Sequence, residues 1–180
     1  MSEITLRTAQ MADVPEIMRI MTEAHRAMAD PSAYITDDEG YVAGHITENG
    51  FTLLAEVDGA AAGFFLVCVP GLEEGNLGYY LGFSERQLRG VAMMDSAAVL
   101  PEYQGMGIMG RMFREAVRRT EGQQPYLLGT VAPENYASRR NFEKCGFSAF
   151  KIIQKPGGLT RLLMGRFRGG KGPAEAAQKP

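Results

Sequence analysis

Residues 91–120 read VAMMDSAAVLPEYQGMGIMGRMFREAVRRT and are the most informative part of the sequence. Its first part, 91–100, is largely apolar and predicts a buried β-strand. From 107 to 120 the apolar residues recur at helical spacing. The helix is expected to bury Ile108, Met112, Ala116 and Val117. The stretch therefore predicts a strand, a short turn rich in glycine, and an amphipathic helix.

The turn between strand and helix has the composition of an anion-binding loop. A helix N-terminus presents unpaired N–H groups and a partial positive charge. Glycines at 105, 107 and 110 would let the backbone approach a phosphate closely. We therefore expect a ligand with a diphosphate group here, and an ordinary strand-to-helix turn is the alternative.

The same loop, GMGIMG at 105–110, matches the G-x-G-x-x-G pattern of dinucleotide-binding proteins. Three features argue against a nicotinamide dehydrogenase. Residues 101–104 separate the strand from the first glycine. The place where an acidic residue is expected, about twenty residues on, holds Gln-Gln-Pro at 123–125. The motif also lies in mid-chain, which leaves too little room for a full dinucleotide fold.

Alternation, apolar runs and turn residues predict the other elements. Strands are expected at 4–8, 51–57, 61–69, 126–131, 147–154 and 159–167, and helices from Val14 and at 40–48, 84–88 and 135–144. Asp13 and Glu16 have the spacing of a capping box for the first helix. Asp58-Gly59 indicates a hairpin turn, and the apolar return strand is expected to be central.

The element order, β-α-α-β-β-β-α-β-α-β-β, predicts one mixed α/β domain over 1–168. The tail, 169–180, has nothing to bury and is expected to be disordered. The formal net charge of −2 creates no basic field, so nucleic acid is not an expected partner. The chain start lacks the pattern of a signal peptide, and no apolar run is long enough for a membrane span.

Cysteine and histidine residues give no sign of a metal site. Cys68 and Cys145 lie among hydrophobic residues and are interpreted as reduced core thiols of a cytoplasmic protein. His25 and His45 stand alone, without metal-ligand spacing, and are interpreted as structural or surface residues. A zinc site and a Ser-His-Asp hydrolase are therefore poorly supported.

Two segments resemble the acetyl-CoA motifs of the GNAT N-acetyltransferases. The loop resembles their pyrophosphate motif, Arg/Gln-x-x-Gly-x-Gly/Ala: Gln104 and Gly107 match, whereas Met109 stands where Gly or Ala is usual. Residues 135–147, NYASRRNFEKCGF, resemble the second motif, Asn-x-x-Ala/Ser-x-x-x-Tyr/Phe-x-x-x-Gly-Phe. The resemblance covers about residues 3–167 and is greatest to bacterial members with an insertion like 70–90.

The resemblance implies the GNAT acyl-CoA N-acyltransferase fold, a single mixed sheet with a splayed central pair of parallel strands. These strands would be 91–100 and 126–131, and the pantetheine arm of acetyl-CoA would lie between them. The implied cofactor-binding residues are Ala97, Ala98, Val99, Gln104, Gly105, Met106, Gly107, Ile108, Met109, Gly110, Asn135, Ser138 and Phe142. The implied activity is acetyl transfer from acetyl-CoA to a primary amine by direct attack.

This reaction needs a base for the amine proton. Asp95 is the candidate, since strand alternation places it on one face with Ala97 and Val99. Family members that use a glutamate carry it at positions held here by Met93 or Thr130. The alternative is that Asp95 is a structural carboxylate that caps a loop.

The family's usual acid is absent, because Phe142 stands where many members have a tyrosine. Tyr136 and Ser138 are the other candidates for a proton donor. An acyl-CoA-binding regulatory domain with little turnover is the alternative function.

Acidic residues lie in the segments expected to flank the acceptor side. They are Asp37, Asp38, Glu39, Glu48, Glu73 and Glu74. An acidic wall would favour a cationic amine, and solvated surface charge is the alternative. The acceptor stays open among small-molecule amines, amino acids, aminoglycosides and peptide N-termini. The insertion at 70–90 is expected to form a lid or a homodimer contact.

Overall fold

The computed structural model describes residues 2–31 and 34–169. Contacts group the chain into two compact units, one of residues 1–68 and 95–116 and one of residues 69–94 and 117–180. The predicted disordered tail lies outside the described residues, except for Gly169.

The first unit holds three complete strands and two complete helices. They are β1 (Ile4–Thr8), α1 (Val14–Arg26), α2 (Glu39–Thr47), β2 (Gly50–Val57) and β3 (Ala60–Cys68). Two further elements, β4 (Val91–Val99) and α4 (Ile108–Thr120), run through the boundary between the units. The hairpin of β2 and β3 turns at Asp58 and Gly59, whose φ values of 49° and 83° suit a type I′ turn.

The core of the first unit lies between α1, α2 and the sheet. Helix α1 buries Val14, Ile17, Ile20, Met21 and Ala24 on one face. They pack with Val42 of α2 and with strand residues that include Leu54, Phe64 and Ala98. This apolar contact holds α2 close to the C-terminal half of β4.

The start of α1 differs from the predicted capping box. The Asp13 side chain caps no N–H of α1. Instead its carboxylate accepts the Gln10 N–H at 2.7 Å and binds the Arg7 guanidinium at 2.7 and 2.8 Å. The prediction with Glu16 was wrong because a turn of 3₁₀ helix over Met11–Asp13 precedes α1, and the capping box joins Gln10 to Asp13.

The second unit holds α3 (Glu85–Leu88), β5 (Tyr126–Val131), α5 (Tyr136–Lys144), β6 (Ser148–Lys155) and β7 (Leu159–Phe167). The insertion at 70–90, for which a helix was predicted at 84–88, also contains a 3₁₀ helix, Leu77–Leu81. Buried Asn76 organises it, since its amide donates to the carbonyl oxygens of Gly71 and Leu88 at 2.7 and 3.0 Å.

The strands follow the order β1-β2-β3-β4-β5-β7-β6 in a seven-stranded sheet. The pair β4–β5 is parallel, and the pairs β1–β2, β2–β3, β5–β7 and β6–β7 are antiparallel. The predicted fold class, a mixed α/β sheet with a central parallel pair, is confirmed. Among the described residues, every helix is too short or too polar to cross a membrane.

Candidate active site

The predicted diphosphate loop follows β4 in the first unit. After one 3₁₀ turn at 101–103, Gly105 and Gly107 adopt φ values of 81° and 76°. An ideal Cβ built on either glycine would meet no atom within 4 Å. Left-handed backbone with open space beside it is the arrangement that lets a phosphate approach main-chain N–H groups.

Helix α4 follows this loop directly and holds its C-terminal end in place. It begins at Ile108, which is 1% exposed, and the Arg111 N–H donates to the Gly107 carbonyl at 3.1 Å. Met109 and Gly110 are half-buried in the first turn. The first N–H groups of a helix have no partner within it, so the N-terminus of α4 is electropositive.

The end of β4 presents its side chains alternately, as predicted. Ala98 packs with the α1 core, and the Val99 side chain lies on the other face near Met112. The Gln104 amide donates to the Val99 carbonyl at 3.4 Å and so ties the loop to the strand. At Gly63 of β3 a Cβ would lie 2.8 Å from the Ala98 carbonyl oxygen, which explains why glycine is needed there.

Asp95 lies on β4, two residues before the predicted cofactor segment Ala97–Val99, and its side chain is exposed. The Tyr41 hydroxyl donates to its Oδ2 at 2.6 Å. The next residue, Ser96, shares a hydrogen bond of 2.7 Å with the Tyr34 hydroxyl. Tyr34, which precedes α2, and Tyr41, which lies in α2, therefore bind two consecutive residues of β4.

Both tyrosines are held in the neutral form. Burial raises the pKa of Tyr34 above its usual range, and the nearby carboxylates of Asp37 and Asp95 add to the effect. Burial also raises the pKa of Tyr41, together with the charge and hydrogen bond of Asp95. Sequence reasoning missed both residues, since no local pattern connects them to β4.

The second predicted cofactor segment lies in the second unit. Asn135 caps α5, where its Oδ1 accepts the Ser138 N–H at 3.0 Å. Tyr136, a candidate proton donor, is 69% exposed. Phe142 is 4% exposed and packs edge-to-face with Phe147 at a centroid distance of 5.2 Å.

The Phe142 ring lies at the last pair of the β4–β5 ladder. Pairing runs from Val91–Tyr126 to Met94–Gly129, although the two strands continue beyond it. A Cβ on Gly129 would lie 2.5 Å from the Phe142 ring and 3.1 Å from the Met94 carbonyl oxygen. Residue 129 must therefore be glycine, because the Phe142 ring occupies the space that a side chain would need. Sequence reasoning did not identify this contact.

Part of the predicted acidic wall has a structural role. Asp38 caps α2, accepting the Tyr41 N–H at 2.8 Å, and Glu39 lies in the first turn of that helix.

Within the described part of the chain, no group of three or more His, Cys, Asp or Glu side chains could hold a metal ion. A surface cavity beside the start of β5, lined by Gln124, Arg166 and their neighbours, contains none of the predicted cofactor residues.

One protein-family model and several solved structures match this chain. The model of the acetyltransferase (GNAT) family matches residues 14–147. A GNAT-family acetyltransferase from Streptococcus pneumoniae has a TM-score of 0.70 at 18% identity, and the alignment covers 93% of this chain and 100% of that one. No curated protein sequence matches the chain.

Two further solved structures share the fold. Ribosomal-protein-alanine N-acetyltransferase from Brucella melitensis has a TM-score of 0.70 at 20% identity over 91% of this chain and 99% of that one. Naa50 from Arabidopsis thaliana, in complex with the bisubstrate analogue CoA-Ac-MVNAL, has a TM-score of 0.66 at 16% identity over 91% and 97% of the two chains.

Proposed function

The chain belongs to the GNAT family of acetyltransferases, and we propose that it transfers the acetyl group of acetyl-CoA to a primary amine by direct attack. The observation that carries the proposal is the open glycine loop between β4 and α4. It offers a diphosphate group a left-handed backbone and a helix N-terminus at the same point. The complex of Naa50 with a bisubstrate analogue is consistent with acetyl-CoA as the donor.

The residues that would hold acetyl-CoA fall into two groups. In the first unit, residues 104–110 would bind the diphosphate, and the backbone of Ala97–Val99 would pair with the pantetheine arm. Exposed Arg111 and Arg114 on α4 add positive charge beside the phosphate position. In the second unit, the predicted cofactor residues are Asn135, the N-cap of α5, and Ser138 and Phe142 within that helix.

The chemistry forms one C–N bond and breaks one C–S bond. The amine nitrogen attacks the thioester carbonyl carbon, and a backbone N–H of Ala97–Val99 polarises the carbonyl oxygen. The Asp95 carboxylate accepts the amine proton, directly or through water. The products are the acetylated amine and CoA, whose sulfur leaves as thiolate and takes a proton from water.

A side-chain acid is not needed in this scheme, so Tyr136→Phe is expected to lower turnover by less than about tenfold. A free thiol has a pKa of about 8.5, and its anion is therefore a good leaving group near neutral pH. Tyr136 is 69% exposed, as expected for a residue that lies on the protein surface and is not a proton donor. Steady-state turnover on one identified amine is the measurement, and a loss beyond about a hundredfold with intact cofactor binding would name Tyr136 as the donor.

The proposed activity is tested by thiol release from acetyl-CoA in the presence of a panel of amines. The panel should contain small-molecule amines, amino acids, aminoglycosides and peptides with free N-termini. Release that depends on the amine, with the acetylated product found by mass spectrometry, is the expected result. Thermal stabilisation by acetyl-CoA without release for any amine would favour the acyl-CoA-binding regulatory domain instead.

A further inference from the structure

The contact between Tyr41 and Asp95 joins two elements that are far apart in sequence. Tyr41 lies in α2 and Asp95 in β4, and the hydroxyl donates to Oδ2 at 2.6 Å. Among residues 2–31 and 34–169, Tyr41 is the one hydrogen-bond donor to this carboxylate. The second oxygen, Oδ1, is left available on an exposed side chain.

Buried groups fix the position of the Tyr41 ring. Its face lies against the His45 imidazole, with ring centroids 4.2 Å apart. His45 is 6% exposed, and its Nδ1 lies 2.7 Å from the Tyr41 carbonyl oxygen. Its Nε2 lies 3.1 Å from the Sγ of Cys68, which is 2% exposed. A carbonyl oxygen only accepts, so Nδ1 carries the proton, and in the neutral ring Nε2 accepts from the Cys68 thiol.

The chain of contacts therefore runs from the core to the surface. Cys68 on β3 orients His45, His45 supports the Tyr41 ring, and Tyr41 holds Asp95 on β4. Each side chain has one defined role in this order. Neither His45 nor Cys68 is exposed enough to meet a substrate, so their contribution is to keep the hydroxyl in place.

We propose that Tyr41 is a positioning residue for the catalytic base: it holds Asp95 by Oδ2 and so presents Oδ1 to the acceptor amine. This inference rests on the proposed role of Asp95. A side chain from α2 thus supports the base in a chain whose positions 93, 130 and 142 hold Met, Thr and Phe instead of the family's glutamates and tyrosine. Tyr41 itself touches no reacting atom.

The hydroxyl acts by orienting the carboxylate. Burial and the Asp95 charge raise the pKa of Tyr41, so the hydroxyl stays protonated and donates throughout the range of an enzyme assay. The hydrogen bond of 2.6 Å occupies Oδ2 and leaves Oδ1 as the oxygen that can accept the amine proton.

Other titratable groups lie close to this pair. Asp37 and Cys68 interact electrostatically with Tyr41, and Asp37 and Asp95 interact in the same way with Tyr34. His45 packs against the Tyr41 ring. Removing only the Tyr41 hydroxyl leaves all of these groups present, so a change in kcat can be assigned to the lost donor.

The test compares Tyr41→Phe with the matched variant Tyr34→Phe, which loses a hydroxyl bound to the neighbouring, uncharged Ser96. Phenylalanine keeps the ring that packs on His45, so folding is expected to survive. In Tyr41→Phe, kcat should fall about tenfold while the KM for acetyl-CoA stays within about twofold, since the carboxylate loses only the donor that orients it. Tyr34→Phe should change neither constant by more than about twofold.

Placing p-aminophenylalanine at position 41 restores an N–H donor and should restore most of kcat. A wild-type kcat in Tyr41→Phe, or an equal loss of kcat in Tyr34→Phe, overturns the inference while the role of Asp95 stands. Full activity of Asp95→Asn overturns both.

Discussion

Gly107→Glu is expected to abolish the thermal stabilisation that acetyl-CoA gives the wild-type chain. At a ligand concentration a hundred times the dissociation constant, linkage predicts about 2.7 kcal/mol of added stability. For a chain of 180 residues this corresponds to a rise in Tm of roughly 5–10 °C. The space beside Gly107 is open, so a glutamate side chain fits there, and it places a negative charge where the diphosphate would lie.

The substitution also carries a backbone cost that must be separated from the loss of binding. Gly107 has a φ of 76°, and an L-residue in left-handed backbone costs about 1–2 kcal/mol. Gly59 is a matched control, because its φ is 83°, its Cβ position is also open, and it lies in the β2–β3 hairpin. Gly59→Glu should lower Tm by a similar amount and keep the full response to acetyl-CoA. A wild-type response in Gly107→Glu would show that the loop does not bind the diphosphate.

Features that depend on neighbours in sequence were predictable. The bounds of β1, β5 and β7 agree with the predicted ranges 4–8, 126–131 and 159–167. Each strand has clear alternation or an apolar run between turn residues, so periodicity locates it. The glycine loop was also predictable, because positive φ and a helix start are properties of a few consecutive residues.

The start of α1 could not be decided from local spacing. Gln10–Asp13 and Asp13–Glu16 both have the interval of a capping box. Arg7 decides between them, since it binds Asp13 and also pairs with Glu56 on β2 at 2.7 Å. The pairing of β1 with β2 thus fixes the direction of the Asp13 side chain. This pairing cannot be inferred from the residues next to Asp13 in sequence.

The supports of the candidate site are equally non-local. Tyr41 and Asp95 are 54 positions apart, and no motif links them. Gly129 is needed because Phe142 occupies the position of its missing side chain. Sequence could therefore make Asp95 and Phe142 candidates from their places in a strand and a motif. It could not identify Tyr41 or Gly129, whose roles exist only in the folded contacts.

Asp95→Asn is expected to lower kcat by about 10²–10⁴-fold at neutral pH if the carboxylate removes the amine proton. Asparagine has nearly the same shape, and its amide oxygen can still accept the Tyr41 hydroxyl hydrogen bond. The fold and the affinity for acetyl-CoA should therefore change little. The measurements are steady-state kinetics on one identified amine and the Tm shift with acetyl-CoA.

Asp58→Asn provides the control for loss of one negative charge in the same unit. Asp58 lies in the hairpin turn with a φ of 49°, which asparagine tolerates, and its carboxylate accepts the Glu3 N–H at 2.8 Å, a bond that an amide oxygen can keep. Its kcat should stay within about twofold of wild type, because it lies outside the proposed machinery. If Asp95→Asn binds acetyl-CoA and turns over like Asp58→Asn, the carboxylate at 95 serves the structure of β4 and another group, or water, accepts the amine proton.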